Sequence, residues 1–138
     1  KMSKSLDNHI ELAATPEETE KRVMSMVTDP QRKRRADPGN PDVCNVYTLH
    51  KIFSSEEEGK EIDRECRKAG IGCVDCKRKL AANLNQHLEP FREKRQDLAQ
   101  DPKLVHDVLE DGAKRAKVIA GKTMAEVREA IGFFGSRN

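Results

Sequence analysis

The sequence predicts an all-α protein, a bundle of about five to six helices with a four-cysteine metal-cluster site. Three features carry the helical expectation. Leu80, Leu84, Leu88 and Phe91 fall at i, i+4, i+8 and i+11, the apolar stripe of a core-facing helix. Helix-start signals recur along the chain, as Thr15 with Glu18, Asn40 before Pro41, Ser55 with Glu58, Asp101 before Pro102, and Thr123 with Glu126. No stretch alternates strongly with a period of two, and Ile10 to Ala13 is too short to decide.

Residues 16–28 read as the first helix, with Thr15 and Glu18 as a capping box, Pro16 at the first helical position and Asp29-Pro30 as the stop. The Pro- and Gly-dense run Asp37-Pro38-Gly39-Asn40-Pro41 marks a turn. A second helix is expected from Pro41, with Val43, Val46, Tyr47 and Phe53 on one side and Cys44 within it. Tyr47 reads as core. Ser55 starts a third helix that carries Cys66 near its end and stops at Gly70. A long helix is expected from near Cys73. Pro90 should kink it, because proline removes a backbone donor and crowds the preceding turn. His87, beside the apolar stripe, is expected to be a partly buried structural residue. The helix after Asp101-Pro102 should turn Val105, Val108, Leu109, Ala113 and Ala116 inward, and Thr123 should open a last short helix that packs through Val127, Ala130 and Ile131, after which Phe133 and Phe134 either close the bundle or fray.

Composition bounds the function. Charged residues make up 36% and hydrophobic residues 36%, so the chain is rich in surface, and the helical recurrence of Leu, Ile and Val argues against disorder. The absence of any long apolar run and of a signal peptide implies a cytoplasmic protein without a membrane partner. The net charge of +2 is unevenly spread: residues 31–35 carry +4, whereas Glu11, Glu17, Glu18 and Glu20 make the first helix acidic. Separate basic patches on a compact domain suit a phosphate backbone, although solvated charge faces are commoner.

All four cysteines, Cys44, Cys66, Cys73 and Cys76, lie in one segment, with gaps of twenty-one, six and two residues. Grouped cysteines without a secretory signal point to metal ligation in a reducing compartment and away from a disulfide framework. Four thiolates suit either a tetrahedral zinc ion or a 4Fe-4S cluster. Structural zinc sites most often pair two Cys-x-x-Cys knuckles; here there is one such pair and two isolated cysteines, an asymmetry that favours the bulkier cluster and leaves zinc open. If Cys73 and Cys76 sit at a helix start, the helix dipole should lower their pKa. Between Arg64 and Lys79 the local charge is +4, which complements an anionic metal centre.

The chain opens on Lys1-Met2-Ser3-Lys4-Ser5, where two lysines and hydroxyl donors on a flexible segment can bring positive charge to a triphosphate. This string resembles the full KMSKS signature of class I aminoacyl-tRNA synthetases. Met24 to Pro30, Asp37 to Pro41 and the stretch from Val108 through Gly132 resemble the C-terminal region of bacterial tryptophanyl-tRNA synthetases, so that the resemblance covers nearly the whole chain. The order of cysteine gaps is similar to that of the subset carrying a 4Fe-4S cluster in this region, with the first gap one residue shorter than that pattern. Lacking an initiator methionine and the nucleotide-binding domain, the chain is expected to be a fragment that cannot activate tryptophan alone.

The resemblance implies an ATP-phosphate loop and linker over 1–14 and a helical anticodon-binding domain over 15–138, with the cluster site at 44–76. Lys4 would support pyrophosphate departure from ATP and magnesium, with Lys1, Met2, Ser3 and Ser5 shaping the loop. The parent would be a homodimeric ligase for tryptophan and its tRNA, and the fragment itself a monomer. With aromatic residues at only 4% and no Trp, arginine planes are expected to stack on anticodon bases. The candidates are Arg67, Lys68, Lys77 and Arg78 beside the cysteines, with Arg32, Arg34 and Arg35 on the RNA backbone. The competing expectation is a zinc-stapled helical interaction module that binds no RNA.

Overall fold

The computed structural model describes residues 2–132; Lys1 and residues 133–138, among them Phe133 and Phe134, lie outside the described residues. Those residues form five α-helices and two short 3-10 turns, with no strand among them. The helices are α1 (Pro16–Ser25), α2 (Asn45–Phe53), α3 (Glu56–Arg67), α4 (Cys73–Gln100) and α5 (Pro102–Ala130), and the 3-10 turns are Lys4–Leu6 and Pro41–Val43. The chain divides into two compact units, residues 1–94 and 95–138.

Local chemistry sets the helix starts of the first unit. The α1 capping box is complete: Glu18 N–H donates to Thr15 Oγ1 at 3.2 Å, and Thr15 N–H donates to Glu18 Oε2 at 2.9 Å. At α3, Ser55 Oγ accepts from Glu58 N–H at 3.2 Å, but the Glu58 carboxylate takes Asn83 of α4 at 2.6 Å, so the predicted box serves the tertiary fold. Helix α1 ends at Ser25, three residues short of the predicted last helical residue at 28, because Met26 already has extended backbone.

Asn40 does act as a cap, accepting from Asp42 N–H at 3.0 Å, but the element it starts is only a 3-10 turn. Cys44 is therefore not within a helix as expected. It is the extended residue that leads into α2, and Val43 is 55% exposed.

Val23, Cys44, Val46, Leu80, Ala81 and Leu84 form the core, with Ile10, Met26, Tyr47, Leu49, Phe53 and Cys76 packed around it. Leu80, Leu84 and Leu88 are buried as predicted, whereas Phe91, in phase with them, is 53% exposed. The stripe on α4 outruns the elements that cover it. Pro90 sits inside α4 without ending it. His87 is also exposed, meeting Phe53 edge-on with ring centroids 5.2 Å apart and Phe91 at a tilt with centroids 6.3 Å apart. Arg92 ties α4 to the start of the unit by donating to Ala14 O at 2.7 Å, Thr19 Oγ1 at 3.0 Å and Asn85 Oδ1 at 2.8 Å.

In the second unit, Asp101 Oδ1 accepts from Leu104 N–H at 3.0 Å and caps α5. The helix then runs unbroken to Ala130. The expected start at Thr123 is absent because its hydroxyl donates back to Ile119 O at 3.3 Å, the mid-helix use of threonine. Val105, Val108 and Leu109 are 41%, 61% and 67% exposed, and Ala113 and Ala116 are exposed too, rather than turned inward. Apolar residues at helical spacing show that a helix has an apolar face, not that its own chain covers it.

Candidate thiol centre and basic surface

The four cysteines arrive from different elements: Cys44 from the turn into α2, Cys66 from the last turn of α3, and Cys73 and Cys76 from the first turn of α4. All four are free, and together they line one cavity of about 20 Å³ with Ile62, Ile71 and Tyr47 among its walls. That is room for about one water molecule. Among the described residues no three His, Cys, Asp or Glu side chains are set to hold a metal ion as they stand. The donor chemistry nonetheless fits a group held by thiolates, since four sulfurs from three helix ends share one enclosed space.

The surroundings complement that donor set. Arg32 Nη1 lies 3.7 Å from Cys73 Sγ and 3.9 Å from Cys66 Sγ, and Arg32 Nε is buried without a partner. The backbone pins this guanidinium, with Nη2 donating to Arg35 O and Ile71 O, each at 2.9 Å. Arg35 binds the same turn, donating to Ala69 O and, at 2.8 Å, to Gly70 O. Gly39 packs so closely that a Cβ on it would stand 2.6 Å from Cys66 Sγ, while its N–H donates to Cys66 O at 3.0 Å.

Burial pushes the Cys66 thiol up despite Arg32, and burial together with the neighbouring thiols pushes Cys76 up to about 12. The expected lowering at the α4 start is reversed for Cys76 because desolvation of a thiolate outweighs the helix dipole there. Left to themselves Cys66 and Cys76 are thiols, so their binding of a metal centre requires proton release.

Sequence reasoning singled out His87 and missed His50, which is fully buried. Its Nε2 lies 3.1 Å from Cys76 O and 3.5 Å from Cys76 Sγ, and its Nδ1 lies 2.7 Å from Ser54 Oγ. Asn83 donates to that same hydroxyl at 2.8 Å. The chain of donors fixes the tautomer: Asn83 N–H to Ser54, Ser54 O–H to Nδ1, and Nε2–H to the Cys76 carbonyl. Burial holds His50 below the ordinary histidine pKa, in keeping with a neutral ring. The available signal was the helical offset of His50 from Val46, which places both on the core face.

The predicted basic residues divide by occupation. Arg67 is locked between Asp42 at 2.9 Å and Asp63 at 3.1 Å, and these carboxylates hold its pKa further up. Lys77 reaches back to donate to Met24 O at 2.8 Å, and Arg78 faces Asp75 at 3.4 Å. Arg32 and Arg35 are framing groups. Arg34 and Lys68 are exposed and have no side-chain partner among the described residues.

At the other end of the first unit, Met2 to Leu6 lead through the 3-10 turn to Asp7, whose φ of 46° is left-handed. Ser3 N–H donates to Asn8 Oδ1 at 2.7 Å, and Ser3 and Ser5 hydroxyls stand 2.7 Å apart. Arg22 of α1 ties this segment down through Asp7 O and, at 2.7 Å, Asp7 Oδ1. Lys4 and Ser5 are exposed. No described helix is long and apolar enough to cross a membrane.

Known proteins resemble this arrangement over nearly its whole length. The family described as tRNA synthetases class I (W and Y) matches residues 1–89. Tryptophan–tRNA ligase of Aquifex aeolicus is 45% identical over 132 residues, and that of Thermotoga maritima 46% identical over 132 residues, each across 95% of this chain. The chain spans 33% and 40% of the length of those relatives. Among solved structures, tryptophanyl-tRNA synthetase from Campylobacter jejuni complexed with ADP and tryptophan superposes with a TM-score of 0.82 at 32% identity, covering 96% of this chain and 41% of that one.

Proposed function

Because the chain belongs to the class I tRNA synthetases of the tryptophan and tyrosine type, we propose that it is the part of a cytoplasmic tryptophan–tRNA ligase that carries the ATP-phosphate loop and the anticodon-binding helices. The observation that carries this reading is similarity to ligases of that name across 95% of the chain, together with the family match over residues 1–89, which includes the opening Lys-Met-Ser-Lys-Ser string. The tryptophan type is favoured over tyrosine for the same reason.

In the complete ligase, likewise proposed to be a homodimer, tryptophan attacks the α-phosphorus of magnesium-bound ATP and pyrophosphate leaves. Lys4 contributes an ammonium group to the charge gathering on the leaving phosphates, and Lys1, Met2, Ser3 and Ser5 shape the loop that delivers it. This role is electrostatic and positional. The Arg22 tether on Asp7 orders the root of the loop and leaves the exposed Lys4 free to reach a nucleotide. The helices bind the single-stranded anticodon of the tRNA, with Arg34 and Lys68 the predicted cations most open to it.

Cys44, Cys66, Cys73 and Cys76 would hold a 4Fe-4S cluster, with zinc as the alternative. Four sulfurs lining one cavity beside the Arg32 guanidinium support that reading. Bound there, the group would supply a covalent staple joining the entry to α2, the end of α3 and the start of α4.

One preparation tests both parts. Purified without oxygen, the chain should contain about four irons and four sulfides and absorb broadly near ~400 nm, and it should bind tryptophan tRNA with strong salt dependence. One zinc without colour would replace the cluster and leave the tRNA reading standing. Binding of tRNA no better than non-specific would return the chain to the class of zinc-stapled interaction modules.

A further inference from the structure

We propose that the cavity between residues 28–35 and the first turn of α4 seats one phosphate group of the tRNA backbone, with Lys33 and Arg34 as its cationic donors. The proposal rests on the tRNA reading and deepens it by naming the group bound and a residue, Lys33, outside the set of sequence candidates. The cavity is about 340 Å³ and is walled by Thr28, the four cations Arg32 to Arg35, and residues 72–75. Its one acid, Asp75, faces Arg78 at 3.4 Å.

Backbone carbonyls hold the wall in place. Arg32 and Arg35 spend their hydrogen-bond donors on the carbonyls of Arg35, Ile71, Ala69 and Gly70, which fix the guanidinium planes but carry no charge. None of the four cations forms an ion pair among the described residues, whereas Arg67 nearby meets two carboxylates. The acids adjacent in sequence face their own backbone: Asp29 accepts from Gln31 N–H and Asn40 N–H, each at 2.8 Å, and Asp37 accepts from Arg34 N–H at 2.7 Å. The loop is thus rigid before any ligand arrives, which lowers the ordering cost of binding. Lys33 and Arg34 are exposed and unpartnered. Lys33 and Arg34 thus bring two unpaired positive charges to one small concavity, beside the backbone-pinned Arg32 and Arg35, and a phosphate accepts hydrogen bonds from those two free side chains.

The test titrates the full 138-residue chain with tryptophan tRNA over a range of salt, for the parent, for Lys33→Ala with Arg34→Ala, and for Lys103→Ala on α5 as a control. Inorganic phosphate is titrated separately, followed by the amide resonances of residues 28–35. The double variant should weaken tRNA binding about tenfold and reduce the slope of log affinity against log salt by about one, with unchanged melting temperature, while the control binds like the parent. Parent-like tRNA binding by the double variant overturns the site and leaves the tRNA reading intact. Phosphate shifts that disappear in the double variant, without any change in its tRNA affinity, assign the cavity to free phosphate and overturn the backbone assignment. Absence of specific tRNA binding by the parent removes the functional reading and this proposal together.

Discussion

His50 offers the sharpest check on the packing of the thiol centre. The ring is fully buried and joins Ser54 to the Cys76 carbonyl, so it couples the end of α2 to the first turn of α4. Replacing it with alanine removes two hydrogen bonds worth about 0.5–1.5 kcal/mol each. The void left by the ring adds roughly 1–2 kcal/mol at ~24 cal/mol per Å³. A total near ~3 kcal/mol lowers the melting temperature by about 10 °C or more in a domain of this size. His50→Gln separates the two contributions, because the glutamine amide nitrogen can take the place of Nε2 and donate to Cys76 O. It should recover about a third of the loss. Thermal melts of the three proteins by far-ultraviolet circular dichroism provide the comparison. A drop of less than about 3 °C for the alanine variant, or a glutamine variant no better than alanine, would refute the account of His50 as a donor-specific link.

Two glycines should respond with opposite signs. Gly39→Ala places a Cβ 2.6 Å from Cys66 Sγ and should destabilise by about 1–3 kcal/mol, whereas Gly59→Ala, within α3 with nothing near its Cβ position, should stabilise by about 0.4–1 kcal/mol in urea melts. Asp29 is held below the ordinary carboxylate pKa by hydrogen bonds from Gln31 and Asn40. The unfolded chain therefore takes up this proton at higher pH than the folded chain, and the stabilisation is present above the ordinary value and lost as pH falls through the folded one. Asp29→Asn should accordingly flatten the acid limb of stability against pH, and an unchanged acid limb counts against the assignment. Cys73→Ser should lower the melting temperature and weaken tRNA binding, while in the complete ligase tryptophan activation stays unchanged; a variant that melts like the parent removes the staple.

What could be read from the sequence was whatever depends on neighbours along the chain. Thr15, Asn40, Ser55 and Asp101 act as caps because a cap needs only the next three residues, and Leu80, Leu84 and Leu88 share a face because helical geometry requires it. What Asn40 begins was not legible: a cap fixes a start, and the 3-10 turn ends at once where Cys44 is drawn into the core. Burial was misjudged at Phe91, His87 and Val108 because it depends on which other element arrives, and periodicity is silent on that. The cysteine set was legible as a group, and the structure brings it to one cavity. The division of labour among the arginines was not. Arg67 and Arg34 differ only in what the fold places beside them, two carboxylates for one and an open cavity for the other.

The carbonyl contacts of Arg32 and Arg35 bear on how this region can change over evolutionary time. These guanidinium groups grip the peptide oxygens of residues 69–71, which every amino acid supplies. Changes of side chain along the link between Cys66 and Cys73 leave the grip intact wherever the local backbone permits them, but inserting or deleting one residue moves the oxygens out of reach. Across descendants of this chain, that link should drift in letters while holding its length.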